Sequence, residues 1–144
     1  REVPGTLQKI RSAILFRQTG NRGDIMYTYY NPNPNGSTVG DCVVRALCKA
    51  FSMDWDKCFS ELVAYAYWLK DMPSANRVWG KLLSDKGYHR KLCDCDCTVA
   101  EFAEEHTDGI YILALQGHVV CVIDGVYYDS WDSGREVPLY YWQK

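Results

Sequence analysis

A chain of 144 residues has room for one ordinary domain. Apolar residues make up 47% and charged residues 24%, which excludes a disordered chain, and no apolar run approaches the roughly 18 residues of a membrane span. With 16 basic and 18 acidic side chains the formal charge is −2, without the clustered basic excess of a nucleic-acid binder.

The count of 7 Cys is high and odd. The longest apolar run near the start, Ala13-Ile14-Leu15-Phe16, is too short for a secretory h-region. Free thiols in a reducing, cytoplasmic compartment are therefore expected, rather than a disulfide scaffold. Residues 1–25 read in two ways. Leu7, Ile10, Ile14 and Leu15 fall at helical spacing among Lys9, Arg11 and Arg17, as in an amphipathic surface arm. Arg22-Gly23-Asp24 ahead of Met26 is also what translating a bacterial ribosome-binding site would produce. On that reading the segment is a non-native upstream extension, and residues 26–144 are one domain.

From Met26 the pattern predicts a short strand to Tyr30, then an irregular Asn-Pro loop over Asn31–Gly36. A helix is predicted from about Asp41 to Phe51, capped by Thr38 or Asp41, and a second from a Ser52 cap to Leu69. A third starts at Pro73-Ser74 and stops at Gly87. Residues 88–97 are ambiguous. Thr98-Val99-Ala100-Glu101 is a capping-box pattern for a short helix to about His106. The period then changes. Strands are predicted at Ile110–Leu115, His118–Ile123, Val126–Trp131 and Leu139–Trp142, with Asp124-Gly125 as a two-residue hairpin turn. Helices followed by an antiparallel sheet make the expected class α+β.

Chemistry concentrates in three places. In Gly40-Asp41-Cys42, the cysteine falls at a helix start, where the macrodipole and unpaired backbone N–H groups favour a thiolate and could hold an oxyanion. A free cysteine on such a helix is ordinarily just a small buried apolar side chain. His118 opens the run Val119-Val120-Cys121-Val122-Ile123, at the mouth of a buried strand. With Asp124-Gly125 as the turn, Ile123 pairs with Val126 and His118 falls opposite Trp131. Val120, Val122, Tyr127, Asp129 and Trp131 then share the face of His118, with Asp129 its diagonal neighbour. A bulge near Ser130 would give that place to Asp132 instead. Cysteine, histidine and aspartate in this order supply a nucleophile, a base and an orienting carboxylate.

On Gly40-Asp41-Cys42, Gly117-His118 and Tyr128-Asp129-Ser130-Trp131-Asp132, the chain resembles the papain-like cysteine peptidase superfamily, in particular small bacterial and prophage-encoded members. The pattern spans residues 35–144. The resemblance implies a papain-like α+β fold with Cys42 as nucleophile, His118 as general base and acid, and Asp129 as orienting residue. It departs in one place: many members carry a Gln about six residues before the cysteine to help form the oxyanion hole, and position 36 here is Gly. Asn35, Ser37 or Thr38 would have to substitute, or the Cys42 N–H would act with another donor.

Cys93-Asp94-Cys95-Asp96-Cys97 alternates thiols with carboxylates, but the spacing is too tight and lacks the second pair of a structural zinc motif. Cys48, Cys58 and Cys121 lie on apolar faces and read as packing. The expected activity is a cysteine peptidase or isopeptidase, a thiol hydrolase working through an acyl-enzyme. It takes a peptide or protein substrate and needs no cofactor, metal, nucleic acid or membrane. The rivals are acyl transfer on the same triad, and a catalytically inactive papain-like binding module of phage or mobile-element origin.

Overall fold

A computed structural model describes residues 26–94 and 96–144. The N-terminal arm or extension expected over residues 1–25, and Cys95, lie outside the described residues. In chain order the elements are β1 (Tyr27–Tyr29), α1 (Cys42–Phe51), α2 (Trp55–Leu69), α3 (Asn76–Asp85), β2 (His89–Leu92), α4 (Val99–Glu105), β3 (Ile110–Leu115), β4 (His118–Ile123), β5 (Val126–Asp129) and β6 (Tyr140–Gln143). Among the described residues no helix is long and apolar enough to cross a membrane.

The strands form one six-stranded sheet in the order β1-β5-β4-β3-β6-β2. The class is α+β, but the sheet corrects the expectation of an antiparallel, purely C-terminal one. β1 runs parallel to β5, with Tyr27 beside Tyr127 and Tyr29 beside Asp129. β2, from the ambiguous stretch, pairs with β6. β1 precedes the helices and β2 lies between two of them; both pair with strands far away in sequence, so no local turn signal announces the pairing. The hairpin register matches the expectation: Ile123 faces Val126 and Val122 faces Tyr127. The turn residues Asp124 and Gly125 take φ of 48° and 81°, the left-handed values that a two-residue hairpin demands.

Side-chain alternation splits the core into two clusters. On one face Ile112, Ala114, Val119 and Cys121 meet α1, α2 and α3. On the other Leu113, Val120, Val122 and Tyr127 meet α4. Seven of the ten residues of α1 are buried, because it lies between the sheet and α2 and is covered on nearly every side. α2 offers a narrower stripe of Cys58, Leu62 and Ala66. Each fully buried Leu in these faces contributes about 1.5–3 kcal/mol relative to exposure. In α3 the mid-helix Gly80 makes room for the Trp142 ring, which would lie 3.1 Å from a Cβ there.

Helix boundaries follow local chemistry. α4 has the full capping box, Thr98 accepting from the Glu101 N–H and Glu101 from the Thr98 N–H. Asp54, not Ser52, caps α2 by accepting from the Lys57 N–H at 2.8 Å. Ser52 instead ends α1 in the left-handed conformation, φ 53°, with its N–H on the last carbonyls of that helix. α3 starts at Asn76, after a turn that takes in Pro73 and Ser74.

Candidate active site

The loop before α1 is built from its asparagines. Asn31 Oδ1 accepts from the Asn33 N–H, and Asn33 Oδ1 from the Asn35 N–H at 2.8 Å. Asn33-Pro34-Asn35-Gly36 closes a turn through Gly36 N–H to Asn33 O at 2.9 Å. Gly40, at φ 87°, then swings the chain into the helix. Asp41 sits at the N-cap position but makes no side-chain cap hydrogen bond. Its buried carboxylate accepts instead from Arg45 at 2.7 Å, Asn33 Nδ2 at 2.8 Å and Trp55 Nε1 at 2.9 Å. The first-turn N–H groups of α1 are therefore not served by the Asp41 side chain. Cys42 is the first helical residue and is half-buried.

His118 opens β4. By alternation it shares the face of Val120 and Val122, whereas Cys42 rides on α1 over the opposite face. The two are brought near each other because the ladder ends here, so the imidazole acts on the Cys42 thiol around the end of the strand, and each shifts the titration of the other. β5 stops at Asp129, so Trp131 is not paired across from His118 as expected; its half-exposed ring still lies 5.0 Å from the imidazole.

His118 Nε2 is 2.6 Å from Asp129 Oδ2, which leaves Nδ1 as the nitrogen for Cys42. Asp129 is fully buried. Its carboxylate also accepts from Ser133 Oγ at 2.7 Å and from the Ser130 N–H at 2.7 Å. Arg45 Nη1 stands 3.5 Å away, on the other oxygen from His118. A buried carboxylate held by this many donors cannot swing, and it fixes the ring it faces.

Electrostatics follow from this packing. Burial alone would push the Cys42 thiol up, but the hydrogen bond and charge of His118, the Val119 backbone and the Arg45 charge outweigh it and hold the thiol below its ordinary value. Burial likewise opposes the His118 imidazolium, yet Asp129 and Cys42 together raise it to about 9. Both shifts favour a thiolate–imidazolium pair at neutral pH. Cys58 and Cys121 move the other way. An interaction in which the Cys58 S–H donates to Cys48, then burial, pushes Cys58 up, and burial pushes Cys121 up, as expected of packing thiols.

Of the residues singled out in the sequence, Cys42, His118 and Asp129 are brought together. Asp132 is not: it accepts from the Tyr127 hydroxyl at 2.6 Å and from the Gly134 N–H at 3.0 Å. Tyr127 itself is buried in the core. A Cβ on Gly134 would collide with the Tyr127 hydroxyl at 2.3 Å, so this turn requires glycine. Asn35, Ser37 and Thr38 lie exposed on the preceding loop. The Thr38 carbonyl is tied inward by Arg45 at 3.1 Å and Ser130 Oγ at 2.8 Å. Cys93 and Cys97 border a cleft of about 240 Å³ with His106 and Tyr141. Among the described residues no group of three or more His, Cys, Asp or Glu could hold a metal ion.

Sequence reasoning missed Arg45 and Ser133. Arg45 carried a signal: a cation inside the apolar run Val43-Val44-Arg45-Ala46-Leu47, four residues after Asp41. Ser133, fully buried, carried none. Comparisons of the chain with protein-family models, with curated proteins and with solved structures found no match.

Proposed function

We propose that this chain is a papain-like cysteine peptidase or isopeptidase, a thiol hydrolase of a reducing compartment. One observation carries the reading: a half-buried cysteine at a helix start, its thiol held below its ordinary value by a histidine that is anchored 2.6 Å from a buried carboxylate. The Cys42 thiolate attacks the carbonyl carbon of a peptide or isopeptide bond, and the first-turn N–H groups of α1 receive the developing oxyanion. The His118 imidazolium gives its proton to the leaving amine as the C–N bond breaks, leaving a thioester on Cys42. Neutral His118 then takes a proton from water, the hydroxide oxygen attacks the thioester, and the acid product leaves with the thiolate restored. Asp129 keeps the ring oriented throughout and remains a carboxylate. An amine in place of water would make the same site an acyltransferase.

The Gly at position 36, where the family carries its oxyanion Gln, favours a second reading: a papain-like binding module of phage or mobile-element origin that has lost turnover. Site-resolved alkylation separates the two. With limiting iodoacetamide from about pH 5 to 9, and peptide mass spectrometry assigning each thiol, Cys42 reacts first and stays reactive below pH 7, well under the ordinary thiol value of about 8.5. His118→Ala slows it about tenfold or more at pH 6. A Cys42 no faster than the other cysteines would overturn the hydrolase reading. A reactive Cys42 that releases no product from any peptide or isopeptide library would leave the binding module.

A further inference from the structure

We propose that Arg45 is a positioning residue of this site: its buried guanidinium locks the loop before Cys42 to the carboxylate behind His118, and sets a fixed positive charge at the first turn of the helix that carries the sulfur. The inference rests on the Cys42–His118–Asp129 reading above and adds the group that keeps its two halves in register. Cys42 belongs to α1, while His118 and Asp129 belong to the end of the sheet. Arg45 is the side chain that spans them. One turn after Cys42, Nη2 donates to Asp41 Oδ1 at 2.7 Å and to the Thr38 carbonyl at 3.1 Å, while Nη1 faces Asp129 Oδ1 at 3.5 Å. The Thr38 carbonyl also receives Ser130 Oγ at 2.8 Å, so the loop, the helix start and the end of β5 form a closed circuit through one side chain.

Packing alone does not explain an arginine at this place. The side chain is 2% exposed, and its Nε is buried without a hydrogen-bond partner. A Leu or Met would fill the same space without leaving a donor unpaired. What an apolar residue could not do is reach three acceptors on three segments with a planar fork, nor offset two carboxylates. The charged and titratable groups facing the cluster are Asp41 and Cys42 from α1, His118 from β4, Asp129 from β5 and Tyr27 from β1, whose hydroxyl lies 3.4 Å from the Asp129 carbonyl. Asp41 and Asp129 are both negative. Without Arg45 the only cation left among these groups is the His118 imidazolium, and the thiolate would form against two uncompensated carboxylates.

The test compares Arg45→Met, Arg45→Lys and the double variant Asp41→Asn/Arg45→Met, each checked for folding by circular dichroism. The double variant removes the carboxylate that the single one would strand, so it remains readable if Arg45→Met fails to fold. The readout is the pH of half-maximal Cys42 alkylation. Removing the guanidinium is expected to raise it by about one unit, a roughly tenfold slower reaction at pH 6. Arg45→Lys keeps the midpoint but loses the fork, and kcat falls about tenfold with KM unchanged. A folded charge-removing variant with the wild-type midpoint, or an Arg45→Lys enzyme with wild-type kcat, would overturn the proposal and leave the triad standing. A wild-type Cys42 with an ordinary thiol midpoint would remove both.

Discussion

The two ends of the sheet hold opposite kinds of polar surface. At the β3-β6-β2 end a cleft of about 460 Å³ runs between α3 and the strands, lined by Arg77, Lys81 and Arg90 over Tyr140 and Trp142. At the β1-β5-β4 end lies a dense, largely buried cluster of Asp41, Arg45, His118 and Asp129. In the large cleft the cations are exposed and separately occupied: Lys81 pairs with Asp85, Arg77 lies 3.6 Å from Asp71, and Arg90 lies 4.1 Å over the Tyr140 ring. Solvent screens such pairs, so each contributes little to stability. In the buried cluster the charges are desolvated and close together: against the effect of burial, Asp129 helps raise His118, and His118 helps hold Cys42 down. The thiol held low and the imidazole held high sit where folding has confined charge.

Asp129→Asn would strike that contrast hardest. The amide presents an N–H where His118 needs an acceptor or keeps an acceptor without the charge, and peptide hydrolysis is expected to fall by about 10²–10⁴-fold with the protein still folded. A fall of less than about threefold would return Asp129 to an ordinary structural role.

The pH dependence of stability comes next. Against an ordinary value near 6.5, the His118 imidazolium is raised to about 9, so its pairing stabilises the fold fully below pH 6.5 and is lost as pH climbs through 9. The loss is on the order of 2–3 kcal/mol, read as a drop in urea stability between pH 6 and pH 9.5 that is smaller in His118→Ala. Equal drops in the two proteins would detach the imidazolium from the fold's stability. The smallest effect belongs to the large cleft. Lys81→Ala and Arg90→Ala are expected to change stability by less than about 0.5 kcal/mol and Cys42 alkylation not at all. A change in alkylation from either would couple the two ends and undo the contrast.

What the sequence disclosed of this site depended on how local the rule was. Cys42 was legible because a glycine-bearing loop and a helix start are neighbours in sequence. Asp129 was legible because a two-residue turn sets register, and register sets diagonals. Asp132 stayed open as an alternative because strand length past Asp129 is decided by tertiary contacts; the Tyr127 hydroxyl and the Gly134 turn claim that carboxylate. β1 was legible as a strand, but its parallel pairing was hidden for the same reason, since its partner lies a hundred positions away, Tyr27 against Tyr127. Ser52 and Asp54 show competition at short range. Both are good caps, and the residue that ended α1 could not also begin α2.

The pairing of β1 with β5 has a consequence for the life of the thiol. Cys42 emerges from the ribosome well before His118 and Asp129, and the loop that must close to unite them is long. Its closure entropy and the non-local ladder place assembly of this edge late in folding. Until then the sulfur lacks the groups that lower its titration, so an ordinary thiol becomes a perturbed one only as the fold is completed.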